Sequence, residues 1–134
     1  MLVGTCKKRS NRHGIGIFAE EFIPEGAATW RFTPGFDKTF HPSEVQRVPE
    51  PVRDQFLTYA YLDAHTGLFV LCADDARFMN HSADPNTVPD YEADPIFGVY
   101  VAARDIQPGE ELTCDYRVAD GLHADGLTFE ASEG

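Results

Sequence analysis

The sequence predicts a mostly β domain of short strands with little helix. Two observations lead there. Apolar runs such as Ile17-Phe18-Ala19 and Phe97 to Ala102 are brief and are separated by turn residues such as Pro24, Gly26, Pro85, Asn86, Pro108 and Gly109. Pro34, Gly35, Pro42, Pro49 and Pro51 break the one long stretch in which helices would otherwise extend. No internal repeat, heptad pattern or low-complexity run interrupts this picture.

Taken in order, Leu2 to Lys7 reads as a weakly patterned first strand. Gly14 and Gly16 mark a turn, and Ile17-Phe18-Ala19 is a short apolar strand after it. Phe22 to Gly26 reverses the chain, and Ala27 to Phe32 is a further strand carrying the only tryptophan, Trp30. Thr33 to Pro51 is the least regular part. Within it Ser43 is placed to cap a short helix through Arg47, and a second helix starts near Pro51 and runs to about Leu57. Tyr59 to Asp63 and Leu68 to Cys72 flank His65-Thr66-Gly67 as a hairpin. Asp74 and Asp75 are placed to cap one helical turn through Phe78. Ala83 to Asn86 is a turn, Phe97 to Ala102 the clearest strand, Gln107 to Glu110 a turn, and Glu111 to Tyr116 the next strand. From Arg117 the chain is rich in Gly, Ala and acid, with Leu122, Leu127 and Phe129 as its sizeable apolar anchors.

Composition narrows the function. A length of 134 residues suits one domain with one core, and 43% hydrophobic and 25% charged residues are ordinary for a soluble protein. No apolar run approaches the roughly 20 residues that cross a bilayer, and no apolar stretch follows Lys7, Lys8, Arg9 and Arg12 as in a secretory signal. A soluble, intracellular protein is expected, cytoplasmic in a bacterium or nuclear in a eukaryote. Cys6, Cys72 and Cys114 are widely spaced, with no zinc spacing and no disulfide framework; Cys6 and Cys72 read as small buried apolar residues. The net charge of −11 repels nucleic-acid phosphates and suits a basic partner.

Three segments carry more specific information. His13-Gly14-Ile15-Gly16-Ile17-Phe18-Ala19 is weak alone, because two glycines one residue apart most often mean a tight turn. Arg77-Phe78-Met79-Asn80-His81-Ser82 would read as a turn with satisfied side chains, or as a metal site of His81 with Asp84 and Asp90 that no known ligand spacing supports. Glu111-Leu112-Thr113-Cys114-Asp115-Tyr116 alone is a strand with a buried tyrosine near its end. Their order and spacing change the reading. Together with the downstream Asp105 to Leu112 phrase and Ala83-Asp84-Pro85-Asn86, they resemble the SET-domain lysine methyltransferases over roughly residues 3 to 117.

That resemblance implies a fold of several small sheets of short strands with a knot-like C-terminal crossing, in which the Glu111 to Tyr116 strand tucks beneath the Asn80-His81-Ser82 stretch. It implies a SET domain over 1–117, with a variable substrate-reading insert at about 33–57, and a tail at 118–134 that covers the cofactor and lysine channel. It implies S-adenosylmethionine as cofactor, bound by Gly14, Ile15, Gly16, Arg77, Phe78, Asn80, His81 and Tyr116, with Phe129 of the tail covering it and His123 a distant second. Tyr116 would be the catalytic tyrosine. The second pocket tyrosine is Tyr59 or Tyr61, with Tyr59 preferred. No metal is implied. The substrate would be a lysine in a basic protein or peptide, with a histone or histone-like tail a natural guess.

The chain also departs from the family. Cys114 stands two residues before Tyr116, where many members carry Phe or Tyr, so the number of methyl groups transferred is open. No cysteine follows Cys114, so the zinc-binding segment of many histone-directed members is missing, and the channel would be closed by the tail, by a second copy of the chain or by the substrate. Two other readings stand beside the lysine methyltransferase: a SET-fold binding module without catalysis, and a methyltransferase whose acceptor is not a protein lysine.

Overall fold

In the computed structural model, residues 1–63 and 65–115 are described. They form ten short strands and two short helices. The strands are β1 (Thr5–Arg9), β2 (Ile15–Ala19), β3 (Ala28–Arg31), β4 (Lys38–Phe40), β5 (Tyr61–Leu62), β6 (Phe69–Leu71), β7 (Asn80–His81), β8 (Thr87–Asp90), β9 (Val99–Ala102) and β10 (Thr113–Cys114). The helices are α1 (Pro42–Arg47) and α2 (Glu50–Tyr59). The expected mostly β architecture of small sheets is present. β1 and β2 form an antiparallel pair, β3, β9 and β8 a three-stranded sheet in that order, β4, β6 and β5 a second, and β7 pairs parallel with β10. No helix among the described residues is long and apolar enough to cross a membrane.

Several boundaries differ from the sequence expectation. Gly16 lies inside β2 opposite Lys8, not in the preceding turn. The cap of α1 is His41, whose Nδ1 accepts from Ser43 N, while Glu44 Oε1 accepts from His41 N. Pro42, one residue before the expected cap Ser43, opens the helix, where its missing N–H costs nothing. α2 runs two residues past Leu57, so Tyr59 belongs to a helix end and the hairpin strand starts only at Tyr61. The irregular stretch hides β4, which pairs with β6 through Lys38 to Phe40. β8 was also missed, because it contains Pro89. It is an edge strand, where a residue without an N–H is tolerated.

Two apolar clusters organise these sheets. Ile17, Ala19, Ile23, Ala102, Ile106 and Leu112 form the first, each at most 2% exposed. Trp30, Val70, Cys72, Tyr100 and Cys114 form the second, with Tyr61, Phe32 and Phe97 packed against it. α2 docks on its sheet through Phe56, whose ring meets Phe40 and Phe69 edge-on at 5.0 and 6.0 Å.

The last described segment, 110–115, is held on both flanks. On one side Leu112 N donates to Ile17 O at 2.9 Å and Ala19 N to Glu110 O at 2.9 Å. On the other, the buried Asn86 side chain accepts from Thr113 N at 2.8 Å and donates to Glu111 O at 2.7 Å, while Thr87 Oγ1 donates to Thr113 O. Ser82 N donates to Cys114 O. The Asn80-to-Thr87 stretch and β2 thus clasp this segment between them.

Candidate active site

The three motifs meet at one side chain. Asn80, 6% exposed, sends its Nδ2 to His13 O at 3.0 Å, Ile15 O at 3.3 Å and Glu111 Oε2 at 2.9 Å. The turn that presents those carbonyls is closed by Ser10 N donating to Gly14 O, and it needs Gly14 at φ +45°. A β-carbon on Gly14 would meet no atom within 4 Å, so this side of the turn is open. Gly16 is different. A β-carbon there would collide with Glu111 Oε2 and lie 3.1 Å from Asn80 Nδ2. Gly16 is therefore required by the chain's own carboxylate. Ile15 between them is 47% exposed.

Arg77 and Phe78 lie on the 3-10 turn of residues 75–78, capped by Asp74 Oδ1 accepting from Ala76 N. Arg77 Nε and Nη2 both donate to Cys72 O, and its guanidinium stands 5.5 Å over the Tyr59 ring. Phe78 meets Tyr59 edge-on at 5.8 Å and packs on the first apolar cluster. His81 is half-exposed, with Nδ1 3.7 Å from Asp115 Oδ1. Tyr116, His123 and Phe129 lie outside the described residues.

The two candidate tyrosines part company. Tyr59 is 40% exposed at the end of α2. The Tyr61 hydroxyl is buried in the second cluster, and no described residue hydrogen-bonds it. Trp30 Nε1, in the same cluster, is likewise buried and unpartnered. Burial raises the Tyr61 pKa well above the usual phenol value, and the neighbouring Cys72, Tyr100 and Asp63 push the same way. Burial also raises the Cys72 thiol, aided by Asp37 and Asp74, and the Tyr100 phenol, aided by Cys114. These groups stay neutral at physiological pH.

The sequence reading overlooked Glu111 as an individual residue, and Ser10, Trp30 and Asn86. Glu111 was visible only as one letter of a motif. Ser10, which donates to both Glu111 oxygens at 2.8 and 2.9 Å, is 101 residues away along the chain and carries no local signal.

Comparison with known proteins agrees with this geometry. A family model described as SET domain matches residues 14–117. A solved structure of a humanized mutant of the Chaetomium thermophilum Polycomb Repressive Complex 2, bound to an inhibitor, is similar with a TM-score of 0.61 at 25% identity. A structure of ctPRC2 in complex with H3K27me3 and H3K27M is similar with a TM-score of 0.62 at 24% identity. Each comparison covers 87% of this chain but 15% of the other, so the chain corresponds to a small part of those relatives. No curated protein matches. With the model matched across most of the sequence, and with the G-x-G turn, Asn80 and the β10 segment converging on one point, the chain belongs to the SET-domain family.

Proposed function

We propose that this chain is an S-adenosylmethionine-dependent protein-lysine methyltransferase acting on a basic protein or peptide segment. The observation that carries the reading is the convergence on Asn80 of His13, Ile15 and Glu111. Because the two Nδ2 hydrogens already face three acceptors, only Oδ1 remains for a ligand, and no described residue donates to it. An acceptor beside an open glycine turn fits the α-ammonium of an amino-acid-bearing cofactor. Gly14, Ile15, Gly16, Arg77, Phe78 and His81 are the further candidates to line that site, with Phe129 covering it.

When bound, the cofactor supplies an electrophilic methyl group on a sulfonium. The chain's own residues have the remaining tasks. A lysine amine, with a reference pKa of about 10.4, must lose its proton before it can attack. A lysine amine entering beside the second cluster, where Tyr61 packs on Trp30, Tyr100 and Cys114, would be favoured in its neutral form by desolvation. The Tyr61 hydroxyl, which no described residue hydrogen-bonds, is the group able to accept from an amine N–H there. This burial favours Tyr61 over the exposed Tyr59 as the pocket tyrosine. Tyr116 would align the amine lone pair, and most of the acceleration would come from orientation. Residues 1–117 would form the catalytic domain, with 118–134 closing the channel. The net charge of −11 favours a basic substrate.

Calorimetric titration of S-adenosylmethionine into the full chain tests the cofactor site, with Asn80→Ala as control. Binding abolished by the substitution supports the reading; no binding to well-folded protein contradicts it. Transfer of labelled methyl to lysine of basic proteins, lost in Tyr116→Phe, separates an enzyme from a non-catalytic SET-fold module.

A further inference from the structure

We infer that Glu111 is a positioning residue, holding the Asn80 amide so that its oxygen, and not its nitrogen, faces the cofactor site. The inference rests on the cofactor-binding reading above. Its structural half stands independently.

An asparagine amide can rotate to present either end, and its orientation is set by what surrounds it. Here every group around Nδ2 is an acceptor: two main-chain carbonyls and one carboxylate oxygen. The reversed amide would set Oδ1 against three oxygens. Of the three, the carboxylate is the charged acceptor and the shortest contact, at 2.9 Å. It is also fixed in place. Ser10 Oγ donates to both Glu111 oxygens, Arg12 Nε lies 3.6 Å from Oε1, and the missing β-carbon at Gly16 leaves room for the carboxylate. Arg12 N in turn donates to Ser10 Oγ at 2.9 Å, so the serine is held as well. The Glu111 side chain retains only 10% exposure. One carboxylate therefore ties the 10–16 turn, β7 and the segment leading into β10, and its effect on a ligand passes through Asn80.

A role confined to stability would shift the melting temperature without touching the amide. The positioning role makes a different demand. In proton–nitrogen spectra of the full chain, the Asn80 side-chain amide hydrogens should be protected from solvent exchange. In Glu111→Gln, an amide nitrogen or oxygen replaces the charged acceptor and this protection should drop. Affinity for S-adenosylhomocysteine should fall about tenfold, the size of one lost charge-assisted hydrogen bond. Ser10→Ala, which leaves the carboxylate charged but less restrained, should give a smaller loss in the same direction. Intact amide protection in Glu111→Gln would overturn the inference. So would lost protection with affinity unchanged within about twofold. If the wild-type chain fails to bind S-adenosylhomocysteine while the amide responds as described, the cofactor reading falls and the structural tie between Glu111 and Asn80 survives it.

Discussion

The two apolar clusters of this domain are built on different rules. The first, from Ile17 to Leu112, contains only aliphatic side chains, and the strands around it meet their hydrogen bonds through Ile23, Ile106, Ile17 and Leu112 backbone pairs. The second mixes Trp30, Tyr100, Cys72 and Cys114 with the packed Tyr61, and holds two buried polar atoms that no described residue hydrogen-bonds. An unsatisfied buried polar group costs about 1–3 kcal/mol, so a domain optimised only for stability would not place two in one cluster. The aliphatic cluster holds the G-x-G strand and the β10 segment in register, and the aromatic cluster buries two polar atoms that no described residue hydrogen-bonds.

Substitutions can break this contrast. The largest effect is expected in the aliphatic cluster. Leu112→Ala removes a fully buried side chain and should destabilise the fold by about 3 kcal/mol, read as a lowered urea midpoint. Gly16→Ala sets a methyl group against the restrained Glu111 carboxylate. It should cost about 2 kcal/mol and also abolish S-adenosylmethionine binding, which calorimetry would report. Tyr61→Phe should behave in the opposite way. Removing an unpartnered buried hydroxyl should leave stability unchanged or raise it by about 1 kcal/mol, while methyl transfer falls. A loss of stability in Tyr61→Phe would place that hydroxyl among ordinary packing groups.

Titration sharpens the same contrast. Tyr61 and Tyr100 have phenol pKa values raised by burial, so the folded state holds protons that the unfolded chain releases near pH 10. Their contribution is fully present below about pH 10 and is lost as pH rises above it, by about 1.4 kcal/mol per pH unit for each group. Denaturation at stepped alkaline pH should show this slope, and Tyr61→Phe should make it shallower. The smallest effect is on thiol chemistry. Cys72 is buried with a raised pKa, whereas Cys6 is partly exposed. Native protein at pH 8 should therefore modify Cys6 well before Cys72.

Local patterns carried much of this in the sequence. The 75–78 turn follows from Asp74, a good cap, and β9 from an unbroken apolar run. The meeting of the three motifs was implied by the resemblance to the SET-domain family that their order and spacing carry. What failed did so for physical reasons. Tyr59 looked like a strand residue because aromatic alternation with Tyr61 mimics a period of two, yet α2 continues through it, since Pro51 sits harmlessly in the first turn and Phe56 anchors the helix to Phe40 and Phe69. β8 was hidden by Pro89, which is harmful in a central strand but harmless at an edge. The carboxylate at the centre of the site could not be singled out, because its partners Ser10 and Asn80 come from distant segments and only the folded chain brings them together.

The most direct test of the account is transfer of labelled methyl from S-adenosylmethionine to lysine-rich peptides by wild-type chain and Tyr61→Phe, each shown to be folded. Transfer to lysine by the wild type is expected, with a large loss in a variant at least as stable. Transfer undiminished in Tyr61→Phe, or no transfer by a wild-type chain that binds the cofactor, would contradict it.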